Sequence, residues 1–483
     1  MTRFHPPFSV FTTFGSRATD RVVGAGLSNV RLIASRIFAK QLASKQLVVA
    51  SAVALVCALS FPNSARGDTP SDSVPAAPAL PAHLALDEAL QIFRATGLDL
   101  LVAEAQVRSA EGDTRIAGAI NNPDLSVGVG RALTNCAGCS APALSATLSD
   151  SGAISDALFG KHALRVDVAD AALQAAKLDK RDAQRILESS LKQQFLAVVV
   201  SKANLELGRQ AHSMAVQAVM LVQHRVSAGA AADSDLLKVE TDTLQLEDQA
   251  DANELMLKTA KVNLAFLLGV RGMAPDFDVD DALLQQAEHA RLDNLDRESV
   301  LSEALRRRSD VLSAEYGERQ ARAAEALARR TRIPQVSLWA NYAMQGSGPN
   351  APTPPTLTIG IDTPLPIFYQ NQGEVMKAES DLFARRVRRA KVNSQVVSDV
   401  ASALASFDIS RKRLERMGAS LLERARRSRD LTALQYERGA ASLLELLDSE
   451  RTFLSVNASY LQSISDYWNA IFAVEQASGR TLH

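Results

Sequence analysis

The sequence repeats its own pattern at an interval of about 210 residues, and this duplication limits the folds that the chain can adopt. The stretch QHRVSAGAAADSDLLKVETDTLQLED at 223–248 has a counterpart with a similar residue pattern, QYERGAASLLELLDSERTFLSVNASY, at 435–460. LDEAL and NPDLSVGVG in the first half likewise have LSEAL and IPQVSLWANYAM as counterparts in the second. Because the matching segments keep their order, the pattern predicts two structurally equivalent halves, at 68–270 and 299–483, joined by a connecting segment at 271–298.

Each half is predicted to begin with a helix and to continue with two strands. Apolar residues recur three and four positions apart through about 85–119 and again through about 299–331, which is typical of helices. Pro123 and Pro334 end these patterns, and the period then changes to two. This alternation predicts β-hairpins with apolar side chains on one face and polar side chains on the other. The two hairpins span 123–150 and 334–363.

The third element of each half is predicted to be a very long helix. About Leu158–Ser227 contains no proline and only two glycines, so at 1.5 Å per residue it would form a rod of roughly 100 Å. Glu374–Arg438 is its counterpart in the second half. Gly229 and Gly439 then permit a chain reversal, so that a returning helix packs antiparallel on the rod that precedes it.

The returning helix after Gly439 has the pattern of a coiled-coil seam. Its apolar residues recur every seven positions, and further apolar residues follow three positions later at Ile464 and Ile471. The heptad positions are Leu447, Leu454, Leu461 and Trp468. Toward the glycine the second seam position becomes polar, at Glu450 and Asn457, which predicts contact with solvent or with a partner.

The two hairpins supply four strands, which are too few to close a sheet beside such long helices. Half-buried strands of a sandwich show the same alternation, so the pattern alone leaves that alternative open. Open sheet edges need to be covered by other subunits, and three copies would supply twelve strands, an even number within the range of membrane barrels. We therefore expect a mainly α chain with a small β part that associates with other copies of itself.

The first 67 residues differ from the rest of the chain in charge. They contain eight Lys and Arg residues against one Asp, and they include the apolar run Leu47–Leu59, with small residues following near Ala65. This arrangement predicts a cleaved secretory signal, and an internal buried helix or a membrane anchor is the alternative. The remainder of the chain is mildly acidic, which gives no case for nucleic acid as a partner.

Two cysteines, Cys136 and Cys139, form the motif CAGC in the predicted loop of the first hairpin. A thioredoxin-like pair opens a helix after a strand in a βαβ unit, whereas this pair lies between two strands. An intraloop disulfide, capture of a metal and free thiols remain as interpretations. The sequence shows no Ser/His/Asp set, phosphate loop or His and Cys cluster with metal-ligand spacing. We therefore expect no enzyme activity, no cofactor and no metal site.

Over about residues 85–480 the chain resembles the TolC-type outer membrane efflux proteins. RVSAGAAADSDLLKVET and YERGAASLLELLDSER are similar to the two tip motifs of that family, and PLPIFYQNQGEV is similar to a segment of its CzcC-type members, which export metal cations. The resemblance implies a trimer with one 12-stranded outer membrane β-barrel, continued by a hollow α-barrel across the periplasm. It further implies contact with outer membrane lipid, docking onto a periplasmic adaptor (a membrane fusion protein), and coupling to an inner-membrane RND-type pump.

The resemblance also assigns roles to residues near the two chain reversals. It implies adaptor-docking tips at Gly229, Ser234, Asp235, Gly439, Ser442 and Leu443. Glu445 and Asp448 fall where family members place acidic residues that line the periplasmic entrance. Because residues three apart share a helix face, both carboxylates can point inward, and a trimer would then present an acidic ring that attracts cations. Solvated helix residues without a role at the entrance are the alternative.

The function that the resemblance implies is passive export of heavy-metal cations or small toxic compounds. Organic drugs are an alternative cargo, and type I protein secretion is an alternative role for the duct. A periplasmic coiled-coil scaffold would explain the helices but gives no reason for two apolar-faced hairpins at matching places in the repeat. An enzyme that uses Cys136 and Cys139 is the third class, and it predicts turnover that is lost in a Cys136→Ser variant.

Overall fold

The computed structural model describes residues 76–130, 143–273, 275–286, 296–346, 351 and 353–480. The predicted signal segment and the Cys136 and Cys139 pair lie outside these residues. The elements, in chain order, are β1 (His83–Leu84), α1 (Leu86–Thr96), α2 (Leu98–Gly118), β2 (Asp124–Gly130), β3 (Ala143–Ser149), α3 (Ala153–Leu158), α4 (Lys161–Ser227), α5 (Asp233–Leu267), β4 (Asp278–Val279), α6 (Ala282–Gln286), α7 (Arg297–Arg307), α8 (Ser309–Arg330), β5 (Ser337–Gln345), β6 (Thr353–Asp362), α9 (Gln372–Arg416), a π-helix (Met417–Leu422), α10 (Glu423–Glu437) and α11 (Leu443–Ser478).

The opening helix of each half is broken once, where the sequence predicted a single helix. In the first half α1 and α2 meet at Gly97, where a Cβ would lie 2.7 Å from the carbonyl oxygen of Phe93. In the second half α7 and α8 meet at Arg308, whose backbone is extended with φ −61° and ψ 133°. The buried Arg308 guanidinium donates to Asp399 at 3.1 Å and to the carbonyl oxygen of Ala477 at 3.2 Å. These bonds attach the second break to α9 and α11.

The four predicted strands form one antiparallel sheet in the order β2-β3-β5-β6. Directly opposed residues of an antiparallel pair point to the same side of the sheet, so the register defines rows of side chains across it. One row consists of Leu125, Leu148, Ala340 and Ile359, and the next consists of Val127, Ala146, Tyr342 and Leu357. The predicted apolar face is therefore continuous over all four strands, with one hairpin from each half.

The opposite face of this sheet is polar. One of its rows consists of Ser126, Thr147, Asn341 and Thr358. Within the row, the Asn341 amide donates to the Thr147 hydroxyl at 2.6 Å. The indole of Trp339 also lies on this face, directly over Gly360, where a Cβ would be 2.3 Å from the ring. Only glycine fits beneath that ring, so Gly360 sets the packing of the two strands of the second hairpin.

Long helices make up the rest of the molecule. α4 is 67 residues long and contacts α2, α8, α5 and α11, while α11 packs against α9 and α10. The corresponding rod of the second half differs from the expected uniform helix, because the π-helix Met417–Leu422 separates α9 from α10. At this place a Cβ on Gly418 would lie 3.2 Å from the Tyr460 ring of α11. No helix in the described part of the chain combines the length and apolarity needed to cross a bilayer.

The main hydrophobic core lies where the middle of α4 and the C-terminal parts of α5 and α11 meet the connecting segment. Trp468, Phe472 and Phe195 are among its fully buried side chains, and the Trp468 N–H donates to the carbonyl oxygen of Leu283 at 2.7 Å. In the connecting segment, β4 pairs in parallel with β1, a two-residue contact that the sequence pattern did not predict. The pairing attaches the segment between the two halves to the strand that precedes α1, and the Trp468 hydrogen bond attaches it to α11.

Candidate functional site

Two chain reversals with the same backbone geometry end the two helical hairpins. The first tip turn (residues 228–232) joins α4 to α5, and the second tip turn (residues 438–442) joins α10 to α11. Gly229 has φ +70° and Gly439 has φ +75°, and a Cβ on either would meet no atom within 4 Å. Only the left-handed backbone therefore favours glycine at these positions.

The hydrogen bonds of the two tip turns also correspond. The N–H groups of Gly229 and Gly439 each donate to a carbonyl oxygen three residues earlier, both at 2.9 Å. The next residues, Ala230 and Ala440, donate to a carbonyl oxygen five residues earlier, at 2.7 and 2.8 Å. This is the Schellman pattern of a helix C-terminus. The repeat in the sequence thus appears as the same Schellman pattern at both tips.

The second tip begins its returning helix with a complete capping box. The Glu445 N–H donates to the Ser442 hydroxyl at 3.3 Å, and the Ser442 N–H donates to the Glu445 carboxylate at 2.7 Å. These bonds from the Ser442 backbone and hydroxyl lower the pKa of Glu445 below its ordinary value. The Glu445 carboxylate is thus held at the start of α11, while Asp448, one turn further along, is exposed.

The first tip lacks this arrangement. Ala232 occupies the N-cap of α5 and offers no side-chain acceptor. Asp233 and Asp235 lie in the first helical turn, where the helix dipole favours negative charge, and the Asp235 carboxylate accepts from Lys238 at 3.2 Å. Ser234 is exposed. The two tips therefore share a backbone but present different side chains.

A small hydrophobic cluster joins the two tips. Its buried members are Ala218 and Val222 of α4, Val239 of α5, Tyr436 of α10, and Leu446 and Leu447 of α11. Leu443, one of the predicted docking residues, packs against this cluster and is therefore partly buried. The Arg225 guanidinium also lies over the Tyr436 ring at 4.7 Å. Because the cluster contains residues of both hairpins, the two tips lie side by side.

Above the tips, polar contacts that the sequence reasoning missed connect the hairpins. Arg451 of α11 donates through Nε to Asp242 of α5 at 3.2 Å, and Asp242 is only 9% exposed. Glu450, which was predicted to face solvent or a partner, is half-buried and lines a partly open cavity beside this pair. Asp242 gives no sequence signal for such a contact, because its partner Arg451 lies about 210 residues further along the chain. The described residues contain no group of three or more His, Cys, Asp or Glu side chains arranged to hold a metal ion.

The fold is that of outer membrane channel subunits. Solved channels with this fold include CmeC of Campylobacter jejuni, with a TM-score of 0.69 and 18% identity, covering 82% of this chain and 85% of that one. VceC of Vibrio cholerae matches with a TM-score of 0.66 and 18% identity, covering 82% of this chain and 97% of that one.

The chain belongs to the outer membrane efflux protein family, whose model matches residues 89–270 and 300–480. The curated relative described as "Cobalt-zinc-cadmium resistance protein CzcC", from Cupriavidus metallidurans, is 23% identical and covers 86% of this chain and 95% of its own length. The protein is therefore an efflux channel of the outer membrane that extends into the periplasm, and it is not an enzyme.

Proposed function

We propose that this chain is the passive outer membrane duct of a tripartite efflux system and works as a homotrimer. Its tips dock onto a periplasmic adaptor, which couples the duct to an inner-membrane RND-type pump. The observation that carries this proposal is the pair of matched tip turns, joined by one hydrophobic cluster at the same end of the molecule. The docking residues are Gly229, Ser234, Asp235, Gly439, Ser442 and Leu443.

Unpartnered edges of the single subunit support the trimer. β2 and β6 each pair with one neighbour, and exposed side chains on them, such as Val129 and Ile359, are apolar. Pairing of β6 in one copy with β2 in the next would remove both edges, and three copies would give a barrel of twelve strands with an apolar, lipid-facing outside. Each repeat, 68–270 and 299–483, supplies one β-hairpin and one helical hairpin, and 271–298 joins them.

The acidic entrance is proposed at Glu445 and Asp448. Both residues are exposed and lie on one face at the start of α11. The capping box holds the Glu445 carboxylate toward Ser442, so Asp448 is the freer of the two to meet a passing cation. Three copies would bring six carboxylates to the entrance, which favours cations there.

We propose heavy-metal cations as the exported solutes, with small toxic compounds as the alternative cargo. The name of the CzcC relative, which refers to cobalt, zinc and cadmium resistance, supports this choice, as does PLPIFYQNQGEV after β6. Transport by a passive duct needs no metal site in the chain itself, since the pump supplies the energy. Deleting the gene and challenging cells with zinc, cobalt and cadmium salts, or with organic dyes, would separate the two cargoes.

The duct is tested by conductance of the extracted protein in planar bilayers. We expect the double variant Glu445→Gln and Asp448→Asn to raise single-channel conductance and to weaken cation preference, because an uncharged ring no longer holds cations in the entrance. The glutamine can still accept the capping hydrogen bonds. Asp233→Asn with Glu240→Gln, which makes the same charge change at the first tip, is the matched control. Equal conductance and selectivity in both double variants would contradict the assignment of Glu445 and Asp448 to the entrance. Absence of any conducting trimer would contradict the proposal that the protein is a duct.

A further inference from the structure

A partly open cavity of about 190 Å³ lies between the two helical hairpins, about two to four turns from the tips. Residues of α4, α5, α10 and α11 line it, so all four helices of the two hairpins meet there. The charged residues in its wall are Asp242 of α5, Arg429 of α10, and Glu450 and Arg451 of α11. α4 contributes the uncharged side chains of Ala211 and Met214.

The two arginines in the cavity wall have partners other than Glu450. Arg451 forms an ion pair with the buried Asp242 and so fastens the second hairpin to the first. Arg429 lies over the Phe453 ring at 4.3 Å, and its Nε donates to Asp430 at 2.9 Å. The two arginines are thus engaged by other groups, and Glu450 is the second carboxylate in a wall that already holds Asp242.

We propose that Glu450 makes the contact between the two helical hairpins sensitive to pH, holding it closed when protonated and loosening it when ionised. A neutral Glu450 can stay packed in the cavity beside Asp242. An ionised Glu450 repels Asp242 and gains hydration when the hairpins separate, so its charge favours a looser arrangement. This proposal rests on the proposed function, because movement at these hairpins matters for transport only where the tips form the entrance.

The direction of the pH response follows from the surroundings of Glu450. Burial raises the pKa of the Glu450 carboxyl, the charge of Asp242 raises it further, and Arg429 opposes them weakly. When the hairpins separate, the side chain reaches water and its pKa falls toward the ordinary value. The closed contact therefore binds the proton more tightly: its advantage is complete below the ordinary pKa and is lost as pH rises through the raised one.

The proposal is tested by hydrogen exchange of the extracted full-length protein, with rates corrected for the intrinsic pH dependence. In the wild type, amides of residues 443–455 should lose several-fold protection between about pH 5 and about pH 8, because the closed contact opens more often. Glu450→Gln, which stays neutral, should keep the acid level of protection throughout. Glu437→Gln, at an exposed acid of α10, is the matched control and should keep the wild-type profile.

Asp242→Asn provides a second, independent test. It removes both the ion pair with Arg451 and the charge that repels Glu450, so protection of 443–455 should be lower at acid pH and should depend less on pH. An unchanged pH profile in Glu450→Gln would overturn the proposal. Because this readout needs no conductance, a channel that fails to conduct but shows the expected profile would count against the proposed duct and in favour of this contact.

Discussion

At the scale of single residues, the two tips differ in one capping side chain. Ser442 caps α11 with its hydroxyl, whereas Ala232 occupies the corresponding place before α5. Removing a serine N-cap costs about 1 kcal/mol, which corresponds to about fivefold more frequent opening of the first helical turns. We therefore expect Ser442→Ala to speed hydrogen exchange at residues 443–449 by about that factor.

The control for this prediction is Ser234→Ala. Ser234 is exposed, and it lies inside the first turn of α5 rather than at its N-cap, so exchange at either tip should stay near the wild-type rate. Equal acceleration in both variants would mean that loss of a hydroxyl, and not loss of the cap, is responsible. The pKa of Glu445 is lowered, so its part of the cap is present above the ordinary carboxyl pKa and is lost only as pH falls through the lowered value. The cap should therefore stay constant over the pH range in which Glu450 responds.

At the scale of elements, local periodicity predicted the helices and strands, but contacts between distant segments decided their interruptions. The alternation at Leu125, Val127 and Val129 was sufficient to predict β2 and its apolar face. The break at Arg308 was missed, because that residue is a good helix former whose side chain reaches groups 91 and 169 residues away. The π-helix was missed as well, because the sequence around it contains no proline and the contact of Gly418 with the Tyr460 ring depends on a distant segment.

The candidate site likewise contains residues that the local sequence predicts and residues whose contacts depend on distant segments. Gly229 and Gly439 were predictable because a reversal between long helices favours glycine. The S-x-x-E spacing of Ser442 and Glu445 is a capping signature that the sequence reasoning passed over in favour of an entrance role. The Asp242 and Arg451 pair, by contrast, has no local signature. Its two members come from different halves and meet only after the hairpins have packed.

The apolar face of the sheet leads to a prediction about β6. Ile359 is on the apolar face and Thr358 is its neighbour on the polar face. If the apolar face meets lipid, Ile359→Arg should cost about 2–4 kcal/mol near the bilayer centre, while Thr358→Arg should be tolerated. Heat-resistant trimer in outer membrane fractions would measure the difference. Similar loss in both variants would place protein or water, and not lipid, against the Ile359 side.

At the scale of the whole molecule, α5 forms a flank that the subunit leaves uncovered. α5 packs mainly on α4, and five apolar side chains along its other side are each more than half exposed. They are Leu237, Leu244, Leu255, Val262 and Phe266. Their spacings of seven, eleven, seven and four residues place them within a narrow stripe on one helix face. A monomeric protein rarely exposes such a stripe, so its length along the hairpin favours burial against a neighbouring copy.

This stripe makes the assembly itself testable. Burial of one such side chain is worth about 1.5–3 kcal/mol, so charging two of them removes about 3–6 kcal/mol from every interface, or more than about 100-fold in association. We therefore expect Leu255→Glu with Val262→Glu to shift the extracted protein from trimer toward monomer in native mass spectrometry. Asn263→Glu, which adds a charge at an exposed position on another side of the same helix, should leave the trimer intact. If the double variant remained trimeric, the stripe would have to face the interior of the duct or a different protein, and the subunit contact would lie on α9 and α10 instead.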